Sequence, residues 1–199
     1  MVLCCFQYIH AHGTQPEDIK RLMHSMPFVS GFPALFDYLS ARPADHQSII
    51  VSDANSFFID TIMANAGLSD VITRTYSNPA WFDDSGCLCI KYYHTQDWCT
   101  LSTKNMCKGA ILSEHLHEQA ERHGKHFDTV LYIGDGSNDL CPALRLRAHD
   151  YVLPRVGFKL LKLIEEGQPD LKAQVRPWAT GQDILDVLGS LQRAPSDVA

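Results

Sequence analysis

The run Thr129-Val130-Leu131-Tyr132-Ile133 passes without a spacer into Gly134-Asp135-Gly136-Ser137-Asn138-Asp139, and no other stretch constrains the fold so tightly. A β-branched and aliphatic run closed by a glycine turn reads as a buried strand ending in a polar loop. A second junction of this kind lies upstream, where Ser48-Ile49-Ile50-Val51 meets Ser52-Asp53-Ala54-Asn55. A third strand is expected near Asp150-Tyr151-Val152-Leu153.

Helical patterns separate these runs. Residues 16–41 carry Pro16, suited to a first turn, and Ile19, Leu22, Met23 and Met26 spaced for one face. Pro27 interrupts them, and a second helix follows through Leu35, Phe36 and Leu39. Further helices are predicted from Ser56 to a stop at Gly67, from about Asn105 to Gly124, and over 156–166 and 181–192. The stretch 74–105 reads as irregular, with Asn78-Pro79, Asp84-Ser85-Gly86 and three cysteines, and turns and a small hairpin are expected within it. Strands alternating with helices imply parallel pairing, hence an α/β layered domain.

A net charge of −6 argues against a nucleic-acid partner, which would call for a basic face. No run approaches the roughly 18 apolar residues of a membrane span. The apolar start has no positive flank and is interrupted by His10 and His12, so no signal peptide is expected. The seven cysteines are odd in number and follow no secretory signal, which fits reduced thiols and a cytoplasmic location. Cys87, Cys89, His94, Cys99 and Cys107 raise the question of zinc. No Cys-x-x-Cys spacing exists among them, so thiols without a metal are expected. His115, His117, His123 and His126 are expected on the solvated parts of one helix and its exit.

In a parallel sheet, ligands bind where strands end and helices begin. Asp135 and Asp139 place two hard oxygen ligands on one loop, which suits Mg²⁺ with its retained waters and a substrate phosphate. The hydroxyl and amides of the Ser52 cluster suit either a phosphate oxygen or a helix cap. Lys108 stands near the start of a helix, where the dipole disfavours a cation. Its alternatives are a solvated surface position or a charge aimed into a phosphate site.

Taken in order, Ser52, Lys108, and Asp135 with Asp139 resemble the motifs of the haloacid dehalogenase superfamily. Ser77-Asn78-Pro79, Tyr93-His94-Thr95, Asn105-Met106-Cys107-Lys108, Pro154-Arg155-Val156-Gly157 and Trp178 narrow this to the pyridoxal phosphate phosphatase and phosphoethanolamine/phosphocholine phosphatase group. The resemblance implies a parallel Rossmann-like sheet flanked by helices and a Mg²⁺-dependent hydrolase acting on a small phosphorylated metabolite. Pyridoxal 5′-phosphate is the first expected substrate, and phosphoethanolamine or phosphocholine the second. It also implies that Ser52 and Lys108 hold the transferring phosphoryl group, with Asp53 and Asn55 reading the substrate. Asp135 would ligate Mg²⁺, and Asp139 would support a ligand water or Lys108.

The sequence departs from that pattern twice. Tyr93-His94-Thr95 continues as Gln96-Asp97-Trp98-Cys99, where the group usually has a histidine and a cysteine-rich stretch. No Asp-x-Asp occurs anywhere, and Phe58-Ile59-Asp60-Thr61 falls inside a predicted helix. The expected organisation is therefore a remnant of the helical cap with its return into the core at 1–46 and a core at 47–192. An irregular insertion occupies 74–105 of that core, which lacks the central strand carrying the nucleophile, and a loose tail follows at 193–199. The competing expectation is a catalytically inactive phosphate- or metal-binding remnant.

Overall fold

The computed structural model describes residues 2–167 and 169–193; the expected tail lies, from 194 on, outside the described residues. The elements run α1 (Val2–Ala11), α2 (Pro16–His24), α3 (Phe32–Ser40), β1 (Ile49–Asn55), α4 (Ser56–Asn65), β2 (Arg74–Asn78), β3 (Ala80–Phe82) and β4 (Leu88–Ile90). After them come α5 (Lys108–His123), β5 (Leu131–Gly134), a 3-10 turn (Ser137–Asp139) and α6 (Leu140–Ala143). Then follow β6 (Tyr151–Pro154), α7 (Lys159–Gly167), β7 (Gln174–Val175) and α8 (Gly181–Arg193). The α/β class expected from the alternation is present, with parallel pairing in two separate sheets. No helix among the described residues is long and apolar enough to cross a membrane.

The chain forms two compact units. The first comprises Met1–Phe28, Leu39–Asp97 and Lys104–Met106. Its sheet is the parallel pair β1–β2, with Val51 opposite Tyr76 and Ser52 opposite Ser77. The register then slips so that Asn55 faces Asn78, which leaves Asp53 and Ala54 as a bulge. Two expectations change here. Strand β1 continues through the expected polar loop, and the stretch expected to be irregular opens with the regular strand β2. Both follow from tertiary hydrogen bonds, because Ser77 Oγ donates to the Ser52 carbonyl at 2.9 Å and Asn78 Nδ2 to those of Asp53 and Ala54. Polar residues can stay extended when a neighbouring strand satisfies their backbone.

Around that pair, α2 buries Ile19 and Met23 but leaves Leu22 exposed, as is Met26 beyond its end, so the apolar face is narrower than the spacing implied. Phe58 of α4 meets Phe6 of α1 edge-on, and Phe57 meets Phe82 of β3. The expected hairpin is β3–β4, and Asp83 closes it by accepting from the amides of Ser85 and Cys87.

The second unit comprises Val29–Tyr38, Trp98–Thr103 and Cys107–Ala199. Its sheet is parallel throughout, in the order β5-β6-β7. Leu112, Tyr132, Leu146, Val152 and Leu160 form its buried core. As the edge strand, β5 leaves Ile133 40% exposed, so this strand is only partly buried. Helix α5 begins at Lys108 rather than near Asn105. Its buried stripe runs Ile111, His115, Gln119 at a spacing of four. His115 is therefore in the core, not on the solvated face expected for it, whereas His117, His123 and His126 are exposed.

Asp150, 1% exposed, ties the starts of β5 and β6 together. Its carboxylate accepts from Val130 N and Arg147 N, and from the Arg147 guanidinium at 2.9 and 3.0 Å. The Arg147 guanidinium donates onward to the Phe127 carbonyl. Buried carboxylates persist when every oxygen is satisfied in this way.

Candidate active site

The predicted site residues fall into two clusters, one in each unit, and each lies where a parallel strand ends. In the first unit the end of β1 carries Ser52, Asp53 and Asn55. Ser52 Oγ accepts from Ala54 N at 3.2 Å, a short turn that holds the hydroxyl at the bulge. Asn55 is buried, and its Oδ1 accepts from Phe58 N at 3.0 Å, making it the N-cap of α4.

Two asparagines organise this loop, and neither was predicted as a site residue. Buried Asn78 donates to the two bulge carbonyls while its Oδ1 accepts from Tyr93 N and Asn105 Nδ2. Asn105 Nδ2 also donates to Asp53 Oδ1 at 3.1 Å. The sequence marks Asn78 by an Asn-Pro turn, Asn105 by an expected helix start, and both as members of the resemblance motifs, with no role attached. An open groove of about 530 Å³ in the same unit is lined by Trp81, Lys91, Tyr92, Tyr93 and His94.

The second unit brings Lys108, Asp135 and Asp139 together. Asp139 is 2% exposed and accepts four hydrogen bonds. Lys108 Nζ and the Tyr132 hydroxyl donate to Oδ1 at 2.8 and 2.6 Å. The amides of Asp135 and Gly136 donate to Oδ2 at 3.0 and 2.8 Å. Tyr132 is the unpredicted member; a buried tyrosine hydroxyl needs a partner, and that was the only signal for it. Gly134 is obligatory, since a Cβ there would lie 2.8 Å from the Asp139 carboxylate carbon. The loop therefore folds back on its own acid only because Gly134 has no side chain.

These contacts decide the electrostatics. Burial alone would raise the Asp139 carboxyl, but the Lys108 ammonium outweighs it, with help from Tyr132 and Gly136, and holds it below the ordinary carboxylate range. Lys108 is itself only 11% exposed, so its helix-start position is offset by this ion pair rather than by solvent. Asp135 differs in kind: its carboxylate is exposed and has no side-chain partner among the described residues.

Burial likewise opposes ionisation of Asp150, and Arg147 with two backbone amides more than offsets it, so this carboxyl is also lowered. The sign for stability follows from both shifts. A carboxyl with a lowered folded value binds its proton less readily than in the unfolded chain, so its contribution is complete above the unfolded value, near pH 4. It is lost as pH falls through the folded value. Urea midpoints should be level from pH 7 to about pH 5 and drop below about pH 4; a midpoint that rises on acidification would contradict these pairings.

A third cluster lies in the second unit, where Cys99, Cys107 and Cys141 bring their sulfurs within 4.8 Å of one another. Cys99 Sγ is 3.5 Å from Cys141 Sγ, and Cys107 Sγ is 3.8 Å from it.

The chain matches the family described as Putative Phosphatase over residues 2–192. It is 35% identical over 186 residues to pyridoxal phosphate phosphatase PHOSPHO2 of Mus musculus, covering 92% of this chain and 76% of that protein. It is 34% identical over 183 residues to the Homo sapiens phosphoethanolamine/phosphocholine phosphatase, covering 90% and 68%. Among solved structures it resembles cytosolic 5′-nucleotidase IIIB bound to cytidine, at a TM-score of 0.55 and 13% identity. That likeness covers 92% of this chain and 60% of the nucleotidase, and it bears on the fold alone.

Proposed function

This chain belongs to the Putative Phosphatase family of the haloacid dehalogenase superfamily, and on that premise we propose that it supplies the phosphate- and metal-holding part of a phosphomonoester hydrolase site. The observation that carries this reading is the buried Lys108–Asp139 pair beneath an outward-facing Asp135.

A divalent metal is implied by the family, and the donor set suits Mg²⁺. Both Asp139 oxygens are filled by four donors, whereas Asp135 offers an open carboxylate, and Mg²⁺ takes one or two carboxylates beside its waters. Asp135 would be the direct ligand, and Asp139 the acid that positions the loop and Lys108. When bound, the ion neutralises charge on the transferring phosphoryl group. By the resemblance, the Lys108 ammonium and the Ser52 hydroxyl are each assigned to phosphoryl oxygens. Asp53, oriented by Asn105, reads the substrate's polar group. Asn55 is assigned to the substrate side through the cap that sets the direction of its loop.

The attacking and protonating carboxylates of the family's Asp-x-Asp are not among these 199 residues. In support, among the described residues β1 is paired only with β2 and β5 only with β6, which leaves each sheet an edge where a further strand could bond. Residues 1–46 then stand for the cap and its return, and 47–192 for the core. Cytoplasmic placement belongs to the same reading.

Pyridoxal 5′-phosphate is the first substrate, and phosphocholine or phosphoethanolamine the second. The aromatic groove suits a pyridine ring by stacking and a trimethylammonium group by cation–π attraction. Phosphate release should therefore be measured on all three. The chain as it stands should bind Mg²⁺ and release no phosphate. Extended by an apolar strand ending in Asp-x-Asp, it should hydrolyse pyridoxal 5′-phosphate fastest, and only with Mg²⁺. Absence of both Mg²⁺ binding and turnover in the extended chain would refute the assignment. Mg²⁺ binding without turnover in that chain would favour the inactive remnant.

A further inference from the structure

We propose that Cys99, Cys107 and Cys141 form a thiolate site for a soft divalent cation of the zinc class. The proposal concerns a different place from the acidic loop and does not depend on the phosphatase reading. All three residues belong to the second unit. Cys99 comes from the segment Trp98–Thr103, Cys107 caps α5, and Cys141 lies in α6.

The spacing fits a metal. Zinc–thiolate bonds of about 2.3 Å in a tetrahedron separate neighbouring sulfurs by about 3.8 Å. The Cys99–Cys141 and Cys107–Cys141 distances are 3.5 and 3.8 Å, and the third pair is also within 4.8 Å. One disulfide could use only two of the three sulfurs, while a cation uses them all. Cys107 and Cys141 are buried and Cys99 is partly exposed. This leaves a side from which an ion can enter and water can complete the coordination. Ser102 Oγ, 3.3 Å from Cys99 Sγ, flanks that side.

Burial pushes the Cys141 thiol up, so its deprotonation would come from a bound cation, with positive groups beside it to hold the charge. A Cβ on Gly109 would come 2.5 Å from Cys141 Sγ and 2.6 Å from Arg145 Nε, so sulfur and guanidinium both crowd the first turn of α5. A guanidinium and the positive end of a sixteen-residue helix together stabilise thiolates. Three thiolates and a dication leave one negative charge, which Arg145 offsets. Cys107 directly precedes Lys108, and Cys141 follows Asp139 by two residues. The ion would thus tie together the two chain segments that make the buried ion pair.

The test uses the whole chain, purified reduced and without chelator. Elemental analysis should find one zinc per chain, and Co²⁺ exchanged into it should give a thiolate-to-cobalt charge-transfer band. Cys99→Ser should weaken zinc binding, measured against a chromophoric chelator, by more than about tenfold. Asp135→Ala should leave the cobalt band unchanged. The wild-type measurements stand even if a cysteine variant fails to fold. The proposal is overturned if reduced wild-type chain takes up no zinc and its thiols react equally fast with and without added zinc. Uptake that Asp135→Ala abolishes and Cys99→Ser preserves would overturn it too, by placing the ion on the acidic loop.

Discussion

Asp139→Ala is expected to lower the unfolding free energy by about 3–5 kcal/mol. The substitution removes the partner of an ammonium that is 11% exposed and withdraws the acceptor from the Tyr132 hydroxyl and two amides. Stranding a buried charge costs more than the pair contributes, because the remaining group can neither ionise comfortably nor reach water. Asp139→Asn separates charge from shape. An amide can still accept from Lys108 and Tyr132 through its oxygen, but its NH₂ would then face the amides of Asp135 and Gly136. It should therefore be nearly as damaging as alanine. Urea unfolding at pH 7 checks both, and a loss below about 1 kcal/mol for either would show that the network is not a structural centre.

Asp135→Ala should do the reverse, acting on chemistry and sparing the fold. Its carboxylate is exposed and unpartnered among the described residues, so stability should change by no more than about 0.5 kcal/mol. In the chain extended to include Asp-x-Asp, Mg²⁺-dependent turnover should fall at least about a hundredfold. That corresponds to roughly 3 kcal/mol of lost charge neutralisation at the phosphoryl group. Calorimetry on the unextended chain should show the Mg²⁺ heat disappear. Turnover within a factor of a few of the parent would move the metal to another residue and undo the site assignment. Together the two variants separate neighbouring aspartates, four residues apart, into an anchor and a ligand.

Both acids were visible in the sequence because the signal is local. A strand, two glycines and two carboxylates within ten residues specify a turn whose donors and acceptors must meet each other. The residues alone did not separate the two acids; only the resemblance implied that Asp135 would ligate the metal and that Asp139 would support a ligand water or Lys108. Lys108 is 31 residues from that acid in the chain. The same distance in sequence hid the support of the Ser52 loop: Asn105 reaches Asp53 across 52 residues, and Asn78 reaches the bulge across 24 and 25. His115 was misplaced because one histidine on a helix face carries no sign of which face turns inward; Ile111 and Gln119 had to be seen buried beside it. Cysteine spacing likewise carried no sign that Cys141 meets Cys99, from 42 residues away.

The sequence by itself determined the α/β class, the two strand-end clusters and the turn at Gly134, because hydrophobic period and glycine chemistry act between near neighbours. It also established the family, through an ordered set of short motifs. Only the tertiary structure decided which acid is buried and which is open, where β1 and β2 end, and which sulfurs meet. Those outcomes depend on packing and on satisfying buried polar groups across tens of residues, where the chain's one-dimensional order carries no distance information.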